Sequence, residues 1–275
     1  MAENRQKLPL FVLGSGRSGT TLLQRTLNSH PEVCIWGEHS GFLKQIAQAY
    51  FTFYDDKNFV ENVLMHNQKG LGAKGNFINV KNPANWQAWV NWISQEDIKA
   101  NFRGFLESFF NPSETNVLFW GFKEIRYGID DRVLEFLKEI YPEARFIFIV
   151  RNPRDTILSQ LAMFYSRKKE NFVVCAKNWA MQNEKYLEFS KNNPDKALII
   201  KYEDFIEDNE NVVNKVFSFL GIPCYGQQKE IIYFDGGRGE DPFPLLRKDI
   251  LNASELAMIK NLTCKVSREF GYTAK

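Results

Sequence analysis

The sequence predicts an α/β fold: a central, mostly parallel sheet of four to five strands flanked by helices, with a helical insertion. Short continuous apolar runs at residues 10–13 (LFVL), 33–36 (VCIW), 117–122 (VLFWGF), 146–150 (FIFIV) and 197–200 (ALII) have the length and composition of strands buried on both faces. Helical patterns separate them, so consecutive strands have room for crossover connections. Residues 42–110 are rich in aromatic residues and poor in strand signals, which predicts the insertion. With 275 residues and no repeat, low-complexity tract or linker, one domain spanning 1–275 is expected, the insertion occupying about 42–112.

The formal charge is +2, from 35 basic and 33 acidic residues, so no global field points to nucleic acid or an anionic membrane. Cys34, Cys175, Cys224 and Cys264 show no C-x-x-C spacing and read as reduced thiols of a reducing compartment. The N-terminal apolar run ends within a few residues at a glycine turn, which fits neither a signal peptide nor a membrane anchor; a cytoplasmic protein is expected.

Residues 8–30, LPLFVLGSGRSGTTLLQRTLNSH, pass from strand through a glycine-rich turn into an amphipathic helix. Gly14, Gly16 and Gly19 allow the tight turn, and Ser18, Thr20 and Thr21 sit where the helix begins. The unpaired N–H groups and partial positive charge of a helix N-terminus suit a phosphate or sulfate there. The spacing of Gly14 and Gly19 matches G-x-x-x-x-G-K-[ST], but Thr20 replaces the lysine, and Arg17 is the only cation in the loop. A Mg-bound triphosphate is poorly served by such a loop.

GSGRSGTTLL followed by HPEV resembles the phosphosulfate loop of sulfotransferases that use 3′-phosphoadenosine 5′-phosphosulfate (PAPS), in the branch containing tyrosylprotein and many bacterial sulfotransferases. The resemblance implies a P-loop-like three-layer fold, PAPS as co-substrate, PAP as product and no metal. It also implies that Gly16, Arg17, Ser18, Gly19, Thr20 and Thr21 bind the donor.

Further along, the second strand ends at Gly37-Glu38, and carboxyl ends of strands line the crevice of open α/β sheets. Glu38 stands where the resemblance implies a catalytic base; a capping role for a helix starting near Ser40 is the alternative, and His39 is the other candidate base. In the insertion, Trp86, Trp89 and Trp92 recur at helical spacing and read as core or as substrate pocket. Gly70, Gly72 and Gly75 form a G-x-G-x-x-G without the strand before or helix after it, so QKGLGAKGN reads as a mobile loop over the acceptor site. Lys123 closes the third run, either as an exposed strand-end lysine or, as the resemblance implies, as a cation stabilising the sulfuryl oxygens.

ARFIFIVRNPRDTILSQ places Arg151 at a strand end, Pro153 at a helix start, Asp155 in its first turn and Ser159 within the helix. Arg151 and Ser159 match the implied 3′-phosphate site. Residues 171–192 read as a long helix, and Tyr202, in KYEDF, matches the residue implied to touch adenine or is a strand-end core tyrosine. The helix at 212–221 stops at Gly221 and Pro223, and one or two helices fill 250–270. Arg238, Arg247 or Lys248 supplies the basic loop that the resemblance implies over the 3′-phosphate. Met163 occupies a position where tyrosylprotein sulfotransferases carry a further arginine, which weakens a peptide acceptor.

The expected reaction is in-line transfer of a sulfuryl group to a hydroxyl or amine of a small molecule, with Glu38 as base and Arg17 and Lys123 stabilising charge. A peptide or glycan acceptor, a small-molecule kinase and a non-catalytic PAP-binding protein are the alternatives.

Overall fold

The computed structural model describes residues 6–56, 95–114, 116–163, 171–224 and 251–272. Five strands form one parallel sheet: β1 (Leu8–Gly14), β2 (Val33–Trp36), β3 (Phe119–Glu124), β4 (Arg145–Val150) and β5 (Ala197–Lys201), in the order β2-β3-β1-β4-β5. These are the five runs that the sequence singles out. The third is shifted: it begins at Phe119 and carries Lys123 and Glu124 as its last residues.

β1 occupies the centre, pairing with β3 on one side and β4 on the other. From β1 the chain crosses over to β2, and from β3 it returns past β1 to β4, so the direction of winding reverses between β1 and β4. A ligand crevice is expected at their carboxyl ends. β3 runs so close to β1 that a Cβ on Gly121 would lie 2.0 Å from the Leu10 carbonyl oxygen; only glycine fits there.

Helices cover both faces. On one, α1 (Thr20–Asn28), α7 (Tyr202–Glu207) and α8 (Asn209–Leu220) bury Leu22, Leu23, Phe205, Val213 and Phe217 against Leu10, Val12, Ile147 and Ile149. On the other, α5 (Pro153–Met163), α6 (Phe172–Asn192) and α9 (Ala253–Glu269) pack together. There an aromatic seam runs from Phe11 (4.8 Å to Phe122, 5.3 Å to Phe146) to α6, where Phe189 and Tyr186 meet Phe146 and Phe148 at 4.7 and 4.5 Å between ring centroids. Each fully buried ring contributes roughly 1.5–3 kcal/mol.

Local signals explain the helix ends. Gly221, at φ +71°, ends α8, and an Asn252–Glu255 capping box starts α9. Among the described residues, 253–269 form one helix, not two. Of the four cysteines, Cys175 is buried and Cys34, Cys224 and Cys264 are half-buried. No described helix is long and apolar enough to cross a membrane.

The chain separates into two compact units: 1–41 with 112–130 and 143–275, and 42–111 with 131–142. The second contains α2 (Leu43–Asp55), α3 (Gln95–Phe110) and α4 (Val133–Ile140). Its centre is Tyr50, within 5.3 Å of the Phe51, Tyr54, Phe102 and Phe136 ring centroids, with its hydroxyl donating to Glu139 Oε2 at 2.7 Å. The tryptophan stripe at 86–92, the glycine loop at 68–76 and the basic residues Arg238, Arg247 and Lys248 lie outside the described residues.

Candidate active site

The turn between β1 and α1 is braced from within. Ser18 is completely buried; its N–H and hydroxyl both donate to the Ser15 carbonyl, at 3.1 and 2.6 Å. Asn183 of α6 donates to Ser15 Oγ (3.1 Å), and Gln160 of α5 donates to the Gly16 carbonyl (2.8 Å). Arg17 has φ +70° and Gly19, the residue before α1, φ +97°. The hydroxyl of Ser18 therefore shapes the loop, and Thr20 is buried as well, while Thr21 is exposed.

Residues from β4, α5 and α7 converge on this turn. Arg17 Nε donates to Ser159 Oγ at 3.1 Å, and Arg151 Nη1 donates to the Arg17 carbonyl at 3.2 Å. The Arg151 guanidinium lies over the Tyr202 ring, 4.4 Å from its centroid. That ring in turn closes on Gly19, where a Cβ would come within 2.4 Å of Tyr202 Cδ2. Tyr202 is the first residue of α7, half-buried, and lies beside the turn while also packing against the core under α1. Arg151 keeps a buried Nε without a hydrogen-bond partner among the described residues, a donor suited to an anion.

The turn after β4 is held by residues that the sequence reading did not single out. Trp179 Nε1 donates to the Arg151 carbonyl (3.1 Å), and Glu203 accepts from the Asn152 N–H (2.8 Å) and the Tyr272 hydroxyl (2.7 Å). Burial first, and then the Glu203 carboxylate, push the Tyr272 hydroxyl far above its ordinary pKa, so it stays a donor.

At the ends of β2 and β3 a second cluster forms. Lys123 is 4% exposed, so it is not a solvent-facing strand-end lysine; its Nζ donates to Glu38 Oε1 at 2.6 Å and to Thr21 Oγ1 at 3.4 Å. Arg126 donates to Glu38 Oε2 at 3.0 Å and to Glu124 Oε1 at 2.5 Å. Glu38 does not cap the helix that follows it: α2 begins at Leu43, preceded by Phe42 without a side-chain cap. Fully buried Glu124 also accepts from the N–H groups of Ile125 (2.8 Å), His39 (3.1 Å) and Gly41 (2.9 Å). Burial pushes its carboxyl up, but the N–H of Ile125, the Arg126 guanidinium and the N–H groups of His39 and Gly41 together outweigh burial and hold it below the ordinary carboxylate range. The His39 ring turns inward, with Nε2 2.5 Å from the buried Tyr127 hydroxyl; burial lowers its pKa, against the opposing pull of Glu124. Glu124 and Arg126 were missed because a charged pair just after an apolar run reads as the strand leaving the core; a glutamate at the end of an otherwise buried strand was the available signal.

Gly19→Ala tests how tightly this turn is built. A left-handed φ costs a side chain about 1–2 kcal/mol, and here the new methyl also meets the Tyr202 ring. Gly221, at φ +71° with nothing within 4 Å, is a control for backbone strain alone. Thermal unfolding should show a clearly larger loss for Gly19→Ala than for Gly221→Ala; equal losses would mean that the ring does not press on the turn.

A parallel sheet with a glycine turn after its central strand, cations at adjacent strand ends and helices on both faces defines a P-loop-like three-layer α/β protein. The chain belongs to the sulfotransferase family, whose profile matches residues 9–107 and 131–226. It is 22% identical over 224 residues to a protein-tyrosine sulfotransferase of Drosophila melanogaster, covering 80% of this chain and 39% of that protein, so it spans well under half of that relative's length. Among solved structures, the sulfotransferase domain of the Synechococcus PCC 7002 olefin synthase matches at TM-score 0.55 and 19% identity, covering 99% of this chain and 98% of that one. The sulfotransferase domain of the curacin biosynthetic pathway matches at TM-score 0.56 and 19% identity, covering 98% and 100%. These structures share the fold.

Proposed function

We propose that this chain transfers the sulfuryl group of PAPS to a hydroxyl or amine of a small molecule, leaving PAP and a sulfated product. The observation that carries the reading is the convergence of Arg17, Arg151, Ser159 and Tyr202 on one glycine turn at the reversal of the sheet. Arg151 and Ser159 would hold the 3′-phosphate, the planar guanidinium suiting its oxygens, and the Tyr202 ring would face the base. Gly16, Arg17, Gly19 and Thr21 present the turn to the 5′ end; Ser18 and Thr20 support it from beneath. Arg238, Arg247 or Lys248, all outside the described residues, would supply a further basic contact to the 3′-phosphate.

When bound, PAPS supplies the electrophilic sulfur. Glu38 takes the acceptor's proton as the acceptor oxygen or nitrogen bonds to sulfur and the bond from sulfur to the bridging oxygen breaks. Arg17 and the turn's N–H groups stabilise the negative charge that collects on the departing phosphate, and Lys123 faces the oxygens of the sulfuryl group in transfer. Glu38 is preferred to His39 as base because its carboxylate stands partly exposed beside Lys123, whereas the His39 ring is engaged with buried Tyr127. Trp36, 48% exposed and two residues before Glu38, offers a flat apolar surface for a ring-bearing acceptor.

One observation favours a second reading, a peptide acceptor: the Drosophila relative is a protein-tyrosine sulfotransferase. Incubation with sulfur-labelled PAPS and parallel panels of phenols, amines, glycans and tyrosine peptides, read by mass spectrometry, separates the two, and absence of any sulfonated product would overturn the enzyme reading. Arg151→Ala should weaken PAP binding by tenfold or more, about 1.5–3 kcal/mol for charge-assisted bonds, in a calorimetric titration; unchanged affinity would remove Arg151 from the 3′-phosphate site.

A further inference from the structure

Glu38 carries a different cation on each of its oxygens, and the two are held in different ways. Lys123 is buried, and its Nζ lies within reach of both Glu38 Oε1 and Thr21 Oγ1, so one ammonium faces the carboxylate and the first turn of α1 together. Arg126 is anchored away from the turn. Its Nη1 reaches Glu124, which three backbone N–H groups hold in place, and its stem lies against Gly41, where a Cβ would come within 3.1 Å of Arg126 Cδ.

We propose that Arg126 is a positioning residue that keeps Glu38 neutralised and aimed while Lys123 turns its charge to the sulfonate of the donor. The inference rests on the donor reading above and adds a residue and a role that the sequence motifs do not contain. The physical argument is competition between two anions for one cation. A carboxylate with a single cation holds it harder than one with two, since the second relieves part of the charge that attracts the first. Without Arg126, Glu38 would retain Lys123, and the sulfonate would lose a charged donor. With Arg126 in place, Lys123 exchanges between Glu38 and the sulfonate at small cost, and Glu38 remains oriented throughout. Glu124 serves the same end by fixing Arg126 and the backbone of residues 39–41.

A double-mutant cycle read by calorimetric titration tests this. Arg126→Gln should weaken PAPS binding by about threefold, the scale of a partly exposed ion pair, and affect PAP, which lacks the sulfonate, far less. Glu38→Gln should tighten PAPS because Lys123 is released. In the Glu38→Gln background, Arg126→Gln should then have no further effect, and Arg126→Lys, which keeps the charge, should recover most of the affinity in the wild-type background. Equal weakening of PAPS and PAP, persistence of the loss beside Glu38→Gln, or no recovery with lysine would each overturn the proposal, leaving Arg126 a merely structural residue. Arg126→Met, which keeps the stem against Gly41, replaces the glutamine variant if that one does not fold. A wild-type protein that binds neither nucleotide would instead overturn the donor reading, and this inference with it.

Discussion

Glu38→Gln is expected to lower the rate of sulfuryl transfer by about 10²–10⁴-fold, the range for loss of a general base, while binding of PAP is retained. The amide keeps the size of the side chain but has no basic oxygen to accept the acceptor's proton. It also breaks the 2.6 Å ion pair with Lys123, which frees the ammonium without removing it from the site. A single-turnover experiment with labelled PAPS and a saturating acceptor separates these effects: the chemical step slows and nucleotide affinity does not fall. Turnover near the wild-type rate would remove Glu38 from the base role, and His39 would need to be reconsidered despite its bond to Tyr127. A parallel loss of PAP affinity would make Glu38 a structural anchor of the site instead.

The largest effect on stability is expected from Glu124→Ala. The fully buried carboxylate accepts three backbone N–H groups and one guanidinium, and truncation leaves those N–H groups without an acceptor. A buried donor left unsatisfied costs about 1–3 kcal/mol. Water entering the vacated space would satisfy some of them, so a loss of about 2–4 kcal/mol is expected in denaturant unfolding. Glu124→Gln should also destabilise, because its amide group would point N–H donors at N–H donors. The pH dependence has a definite sign. The folded carboxyl lies below the unfolded value of about 4.3, so its contribution is complete above that value and disappears as pH falls through the folded pKa. Wild type should therefore lose more stability than Glu124→Ala on acidification from neutral pH. Parallel losses in the two proteins would show that the depressed carboxyl does not feed into folding.

The glycine turn was readable because its information is local. Gly14, Gly16 and Gly19 between an apolar run and a helical pattern specify a strand, a turn and a helix with little help from the rest of the chain. Arg151 and Ser159 were readable for the same reason, since a strand end, Pro153 and the helix after it set where each lies along the chain. Side-chain direction was not. Ser18 resembles a ligand-facing hydroxyl in sequence yet points inward to the Ser15 carbonyl, because the turn has a carbonyl of its own to satisfy. Lys123, in turn, passes for a surface lysine until Glu38 and Thr21 are brought around it.

Short-range periodicity and backbone preference, both legible in the sequence, specify the alternation of strands and helices, the placement of the glycine turn after the first strand, and the kinds of side chain at the strand ends. The order of the strands, with β1 between β3 and β4 and β2 beside β3, comes from the folded sheet, and with it came the neighbours of the charges at the candidate site: Arg17 with Ser159, Arg151 over Tyr202, Lys123 and Arg126 on Glu38, and Glu124 among backbone N–H groups. Parallel strands distant in sequence meet through hydrogen bonds that carry no residue code, so the partners of a side chain at a strand end are set by sheet order and not by the residues beside it in the chain.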